Sequence, residues 1–294
     1  MKKNTLLISL IFLVFSQGSW GQSFSFDKLN QRRNWRINKR EFQLGLCATQ
    51  FNGDLGGAGG NGIDYSTKDI DWQSTGSGLE IAYKYRFKPY FATKTCVSYF
   101  KVQADDKYSE EGTRNMRNLH FRSRSFDISQ RFELIVLANE SNSRFYNLTA
   151  NARKNKSNAQ LYLFGGIGLM YFNPQAMYNG TWTNLQALKT EGQSTPYSRT
   201  ALIIPTGLGI RFGINERFRI GVELAYTKTF SDYIDDVSTT YTSTSNLSSS
   251  AAVYLANPSG NSNAYGPGEK RGDPNQKDAY YKLSFQLIYN LFHR

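Results

Sequence analysis

Apolar and polar residues alternate along much of this chain with a period of two residues. From Leu79 to Phe87 every odd-numbered position is apolar or aromatic, whereas the even-numbered positions include Glu80, Lys84 and Arg86. Because successive side chains of a strand point to opposite faces, this pattern predicts a strand with one apolar and one polar face. Similar alternation, rich in aromatic and β-branched residues, predicts eight strands: 39–51, 78–87, 90–103, 119–137, 160–172, 200–214, 217–230 and 279–292.

The connectors between these predicted strands differ in length in a regular way. Two are tight turns, around Lys88-Pro89 and Asn215-Glu216, and a third, 138–159, is longer. The other four are long and polar: 52–77, 104–118, 173–199 and 231–278. In an antiparallel sheet all four long connectors then lie at one end, which is typical of outer-membrane barrels. Closure also removes the free strand edges that lipid does not tolerate.

We therefore predict an all-β fold, an eight-stranded antiparallel up-and-down transmembrane β-barrel of the OmpA and OmpX kind, over residues 39–294. The mean hydropathy of -0.52 excludes a bundle of membrane helices, which needs repeated apolar runs of about 20 residues. The aromatic content of 15% suits the aromatic girdles of a barrel, although composition alone fits a soluble sandwich equally well. The Ser, Thr, Gly and Asn content of connector 231–278 predicts disorder there.

The first 21 residues have the pattern of a secretory signal peptide. Lys2 and Lys3 precede an apolar run, 6–15, and Ser19 and Gly21 occupy the small-residue positions of a cleavage site. Residues 22–38 follow as a polar, basic arm. With strand ends at 39 and 292 on the same rim, we predict a protein of the bacterial outer membrane with both termini in the periplasm. A terminal aromatic residue, Phe292, also resembles the signal read by the outer-membrane insertion machinery.

The charge of the chain limits the class of partner. The formal net charge is +12, but export makes nucleic acid an improbable partner. Outer-membrane lipids with anionic headgroups, or an acidic protein surface, are the expected partners. Inside a barrel of eight strands there is room only for side chains. We expect a lumen filled with paired charges: Glu80, Lys84, Arg86, Arg122, Arg124, Asp127, Arg131, Glu133, Arg211 and Glu223.

Few residues in the chain suggest chemistry. Cys47 and Cys96 fall on strands that are not neighbours, so we interpret both as small unpaired hydrophobes. His120 and His293 lie far apart, with no nucleophile or carboxylate at a motif spacing. We therefore predict no enzyme activity, no metal site and no cofactor.

Two stretches resemble a known family. One is Leu44–Leu55, which ends in Gly53-Asp54, and the other is Arg271–Tyr281, which begins Arg271-Gly272-Asp273-Pro274. Together with the layout of strands and loops, they are similar to the PorG-type outer-membrane barrels of the type IX secretion system. The Arg-Gly-Asp tripeptide could also suggest adhesion to integrins, but the proline that follows favours a simple turn.

The resemblance implies a non-catalytic role in protein export, including the export of gliding adhesins. Members of that family contact a periplasmic ring formed by a lipoprotein and its partner. In this chain the candidate contact residues are basic: Lys28, Arg32, Arg33, Arg36, Arg153 and Lys154. Two alternatives stay open: a free-standing surface barrel that acts in adhesion or membrane stability through its outer loops, and a small channel.

Overall fold

The computed structural model describes residues 39–56, 72–109, 112–138, 159–214, 217–259 and 265–291. The predicted signal peptide, the basic arm and most of connector 138–159 lie outside these residues, so those predictions stay predictions. No helix in the described part of the chain is long and apolar enough to cross a membrane. The strands are β1 Arg40–Asn52, β2 Gly76–Arg86, β3 Phe91–Asp105, β4 His120–Ala138, β5 Ala159–Tyr171, β6 Pro174–Tyr178, β7 Thr181–Asn184, β8 Thr200–Gly213, β9 Phe218–Thr229 and β10 Ala279–Asn290.

Eight of these strands close into an antiparallel barrel. The order around it is β1, β2, β3, β4, β5, β8, β9 and β10, and β10 pairs again with β1. The predicted eight-stranded barrel is therefore confirmed, and each predicted strand end lies within two residues of the observed one. Closure pairs each of the eight barrel strands on both sides, so none of these eight is left at an edge.

The two ends of the barrel differ. The turn end, as we call it, carries residues 87–90, which join β2 to β3, and the ends of β8 and β9 at Gly213 and Phe218. The loop end carries the four long connectors. One of these contains a hairpin that the sequence analysis missed: β6 and β7 pair together, and β6 extends the edge of β4 through Arg122 and Ser123. Two short helices, α1 Gly112–Arg117 and α2 Ser250–Ala256, also lie there.

The last long connector contradicts the prediction of disorder. Its described residues, 231–259 and 265–278, include helix α2, whose first turn is capped by the Ser249 hydroxyl accepting from the Ala252 N–H. Ile234, Val237 and Leu255 are almost fully buried. The composition of the whole segment predicted disorder, but these few apolar side chains find a hydrophobic surface at the mouth of the barrel, and burial there stabilises the loop.

Alternation along the strands separates the two surfaces of the barrel. On β10, Leu283, Phe285 and Leu287 face outward, whereas Lys282 and the other even-numbered residues face the lumen and are buried. The same pattern repeats around the barrel, so the outer wall is a continuous band of exposed aliphatic and aromatic side chains. Such a band is stable only against lipid, because a surface of this size in water would associate or aggregate.

Candidate functional site

The lumen is filled by charged side chains that pair with one another. Near the turn end, Glu41 forms an ion pair with Lys84 at 2.6 Å and accepts a hydrogen bond from Arg219 at 3.1 Å. All three side chains are shielded from solvent. Glu41 lies on β1, Lys84 on β2 and Arg219 on β9, so this triad ties together strands on both sides of the closing seam between β1 and β10.

The middle of the lumen is built around two glutamates. Glu133 on β4 receives two hydrogen bonds from the guanidinium of Arg211, at 2.8 and 2.6 Å. Glu223 on β9 binds Lys94 and accepts from the hydroxyl of Tyr162 at 2.8 Å. Such bidentate and charge-assisted hydrogen bonds are among the strongest in proteins.

A glycine makes room for this arrangement. A Cβ at Gly209 would lie 2.3 Å from the ring of Tyr162, so only glycine at this position lets the ring cross the lumen to Glu223. Towards the loop end, Lys282 lies between Glu80, at 3.4 Å, and Asp127, at 3.3 Å. Asp127 also accepts from the hydroxyl of Tyr280 at 3.0 Å. We call this set of buried charges on the barrel strands the lumen network.

The predicted lumen charges are mostly, but not all, correct. The prediction is wrong for Arg122 and Arg124, because both share the parity of Phe126 and therefore lie on the outer face of β4. The alternation itself would have excluded them. Four lumen charges were not among those predicted, although their strand parity marks them as inward-facing: Glu41, Lys94, Arg219 and Lys282.

An apolar layer closes the lumen at the loop end. Inward-facing residues near the loop end of the strands, such as Phe51 and Phe100, and Phe172 just after β5 pack in one cluster with Ile234 and Leu255 from the last connector. Val237 of the same connector and three leucines of the other connectors complete this layer: Leu55, Leu119 and Leu185. We call the described connector residues at this end (53–56, 106–109, 112–119, 172–199, 230–259 and 265–278) the loop cap. The loop cap covers the lumen network with hydrophobic contacts.

The two stretches that carry the family resemblance meet in the loop cap. The Asp273 N–H donates to Asp54 Oδ2 at 2.8 Å, although the two residues are 219 positions apart. Arg117 joins both stretches, because its guanidinium donates to the Asp54 carbonyl at 2.8 Å and to the Arg271 carbonyl at 2.9 Å. A Cβ at Gly272 would lie 2.5 Å from Asp54 Oδ2, so this contact requires glycine.

Gly53 has a similar role beside its own strand. A Cβ there would lie 2.4 Å from the ring of Phe51 and 2.5 Å from Asp278 Oδ1. The other oxygen of Asp278 accepts from the Ile234 N–H at 2.9 Å. Gly53 and Asp54 therefore fix the start of the first long connector against the end of the last one. Pro274, by contrast, lies exposed in a surface turn.

Arg271 is an internal anchor of the loop cap. Its guanidinium donates to Glu191 at 3.1 Å and to the Asp236 carbonyl, and only 3% of the residue is exposed. Burial of Arg271 prevents the tripeptide from presenting its guanidinium to a surface ligand. Asp273 forms an exposed ion pair with Lys270 at 2.9 Å. The interpretation of this tripeptide as a structural turn is therefore the one that the geometry supports.

Carboxylates outnumber basic groups inside the loop cap. Asp106 is well paired, since it binds the Arg117 guanidinium at 2.7 Å and accepts backbone N–H groups of Gly56 and Leu119. Asp235 is not: its Oδ2 has no hydrogen-bond partner among the described residues. Desolvation, together with the charges of Asp278 and Asp54, raises the pKa of the Asp235 carboxyl well above its usual value.

Two more carboxyl groups of the loop cap also have a raised pKa. Burial raises the pKa of Asp232 to about 6, although the Ser238 hydroxyl donates to it at 2.6 Å. Burial also raises the pKa of Asp236 to about 6, despite the nearby Arg271. Within the described residues, no group of three or more His, Cys, Asp or Glu side chains is arranged to hold a metal ion.

The cysteines, one histidine and the predicted partner-binding residues remain to be placed in the structure. Cys47 and Cys96 are free and buried, as predicted, but both face the lumen. The Nε2 of His120 accepts from the Met177 N–H at 3.0 Å, which fixes the β6–β7 hairpin. The predicted partner-binding residues all lie outside the described part of the chain: Lys28, Arg32, Arg33, Arg36, Arg153 and Lys154.

Sequence reasoning found Asp54 and Arg271–Pro274 but missed the residues that hold them. Arg117 ends helix α1, and Glu191 and Asp236 lie in irregular connectors, so no strand alternation marks these side chains as inward-facing.

A closed barrel with an apolar outer band, a charged lumen and long loops at one end defines a transmembrane β-barrel of the outer-membrane type. The sequence model of the outer membrane protein β-barrel domain family matches residues 38–253. The chain belongs to this family, and its location is the bacterial outer membrane. None of the curated proteins compared with the chain is a significant match.

Several solved structures are similar in fold. Ail of Yersinia pestis, in complex with the heparin analogue sucrose octasulfate, shares 10% identity over 85% of this chain and 97% of its own, with a TM-score of 0.37. Neisserial surface protein A shares 10% identity over 86% and 97%, with a TM-score of 0.39. The N-terminal barrel of Pseudomonas aeruginosa OprF shares 7% identity over 84% and 96%, with a TM-score of 0.31.

Proposed function

We propose that this protein is a non-catalytic outer-membrane component of the type IX protein secretion machinery, which anchors or contacts the periplasmic ring of that system. The observation that carries the proposal is the meeting of the two family-like stretches. Asp54 and Gly272-Asp273 interlock in the loop cap, and Gly53 and Gly272 lie where a side chain would clash. The resemblance therefore rests on residues that build one local structure.

The packed interior of the barrel favours a scaffold role for the protein rather than a channel role. The charged residues of the lumen network are each at most 2% exposed, and an apolar layer closes the mouth above them. Ion pairs of this kind leave no water-filled path along the lumen. A barrel that is filled in this way acts through its two rims and its outer wall rather than through its interior.

The basic residues at the turn end are the proposed contacts with the ring. The arm 22–38 leads directly into β1, and connector 138–159 leaves β4 and enters β5 at the same end of the barrel. Lys28, Arg32, Arg33 and Arg36 on the arm, with Arg153 and Lys154 on the connector, would place positive charge opposite an acidic protein surface. With both termini in the periplasm, these residues face the ring.

Charge reversal on the arm tests this proposal. We expect Arg32→Glu/Arg33→Glu/Arg36→Glu to reduce co-purification of the ring lipoprotein and its partner with the barrel at least tenfold. A matched control is Lys107→Glu/Lys270→Glu, which changes exposed bases at the loop end. Equal recovery of the ring proteins with the arm variant and the wild type would refute the proposed contact.

A second candidate function is a free-standing surface barrel that acts in adhesion or membrane stability. The folded loop cap favours it, because helix α2 and the β6–β7 hairpin give the loop end a defined surface, with Tyr254 and Met177 exposed on it. Replacing Tyr254 by Ser tests the second function. Loss of surface binding with intact secretion would support it, and unchanged surface binding would contradict a role of this exposed tyrosine in adhesion.

A further inference from the structure

A row of basic side chains crosses the outer wall of the barrel near the loop end. Lys101 on β3 and Arg124 on β4 are direct register partners, and both point outward. Arg199, at the residue before β8, donates to Asn173 Oδ1 at 3.3 Å, just beyond the end of β5. The three bases therefore lie side by side across β3, β4, β5 and β8. We call Lys101, Arg124 and Arg199 the basic row.

The basic row lies directly beyond a row of aromatic side chains. Tyr99, Phe126 and Tyr171 are register partners on β3, β4 and β5. Tyr99 and Phe126 lie two positions closer to the middle of their strands than Lys101 and Arg124, and the Arg199 guanidinium lies over the Tyr171 ring, 5.5 Å from its centre. All three are exposed on the outer wall. Two residues of a strand span about 7 Å, so Lys101 and Arg124 lie that far beyond the rings of Tyr99 and Phe126 along their strands. Aromatic rows mark the interface between hydrocarbon and headgroups in barrels.

The basic row has no counter-charge within the described structure. Lys101, Arg124 and Arg199 form no ion pair with any described carboxylate, and the nearest outward acid on β3, Asp105, is already paired with Lys107 at 2.9 Å. Like charges directly opposite each other on antiparallel strands are unfavourable. A fourth base, Arg122, lies two residues beyond Arg124 and stacks on Trp182 at 3.7 Å, which adds to the excess of positive charge.

We propose that the basic row binds the phosphate group of an anionic membrane lipid whose acyl chains lie against the aromatic row. The height of the row places its charges at the level of the headgroups, and Arg and Lys side chains are strong phosphate ligands. A bound phosphate also supplies the negative charge that relieves the repulsion between Lys101 and Arg124. This site is on the outer wall and is independent of any contact with a secretion ring.

Native mass spectrometry of the mature barrel in detergent tests the site. The probes are phosphatidylglycerol, phosphatidylcholine and inorganic phosphate, each titrated separately. We expect the wild type to retain phosphatidylglycerol at least tenfold better than phosphatidylcholine, and Lys101→Gln/Arg124→Gln to lose that preference. The control Lys107→Gln/Lys270→Gln removes the same charge from the loops and should keep it. Equal lipid preference in the wild type and Lys101→Gln/Arg124→Gln would overturn the proposal.

Two further measurements keep the test decisive. Inorganic phosphate that displaces phosphatidylglycerol at equimolar concentration would also overturn the proposal, because it would show a free-anion site without a lipid component. Arg124→Glu turns the like-charge pair into an opposite-charge pair, so it should fold at least as well as the wild type in detergent. We expect it to lose the lipid preference nonetheless, and retention of the preference in this folded variant would contradict the site.

Discussion

The lumen network and the loop cap are both polar interiors, but they handle charge differently. In the lumen network each described carboxylate contacts at least one base, as Glu133 does with Arg211 and Glu41 with Lys84. The loop cap buries five aspartates around two arginines: Asp106, Asp232, Asp235, Asp236 and Asp278, with Arg117 and Arg271. The lumen network holds an excess of basic groups, so that every carboxylate has a basic partner, whereas the loop cap holds an excess of acid.

This difference shows in which of the two interiors a buried charge must be paired. A charge in the membrane-spanning part of the barrel has no access to water, so an unpaired one is very costly and pairing is required. The loop cap lies beyond the wall, where a carboxyl group can instead bind a proton. The raised pKa values of Asp232 and Asp236 show that these two carboxyl groups bind a proton more readily than ordinary aspartates.

The largest expected effect comes from breaking a pair in the lumen network. Glu133→Ala leaves the Arg211 guanidinium without its bidentate partner inside the barrel. Removing one partner of a buried pair costs about 3–5 kcal/mol of unfolding free energy. Urea titration in lipid vesicles, read by the gel mobility of unheated samples, measures the loss.

A double variant is the control for this prediction. Glu133→Leu/Arg211→Met removes both charges and fills the space with apolar atoms, so it should regain most of the lost stability. A double variant as unstable as Glu133→Ala would mean that lost packing, and not the unpaired charge, causes the effect.

A smaller effect is expected in the loop cap, where two aspartates should respond in opposite directions. Asp106→Asn weakens four hydrogen bonds, two of them from Arg117, and should loosen the loop cap while the barrel stays folded. The expected cost is about 1–3 kcal/mol for opening of the cap. Hydrogen exchange of residues 231–259 is the measurement.

Asp235→Asn is the matched comparison, because it removes a charge with no basic partner. At pH 7.5 this variant should slow hydrogen exchange in residues 231–259 or leave it unchanged. Faster exchange in Asp235→Asn than in the wild type would show that the ionised carboxylate stabilises the loop cap, contrary to the excess of acid described above.

The smallest expected effect is a pH dependence confined to the loop cap. The pKa values of Asp232 and Asp236 are about 6 in the folded state, against 3.8 ordinarily, so the folded cap binds more protons than the open one between these values. Its stability therefore rises as pH falls from 7.5 towards 4. Hydrogen exchange corrected for the intrinsic rate should slow in residues 231–259, and Asp232→Asn/Asp236→Asn should flatten the change.

The sequence predicted the barrel well because the strand pattern is local. Inward and outward positions alternate residue by residue, so the strands, their order and most lumen charges could be read directly. The errors arose where residues of outward parity were assigned to the lumen, as with Arg122 and Arg124, which share the parity of Phe126. The composition of 231–278 also misled, since disorder was predicted from its average rather than from the positions of Ile234 and Leu255.

The sequence by itself determined the strands, the closed barrel and the two short stretches that resemble a family. Tertiary structure alone decided that Asp54 meets Gly272-Asp273, that Arg117 joins them, and that Lys101 lies beside Arg124 on the wall. The physical reason is the range of the interactions. Alternation acts between adjacent residues, whereas these contacts depend on the closure of eight strands, which brings residues from opposite ends of the chain to one rim.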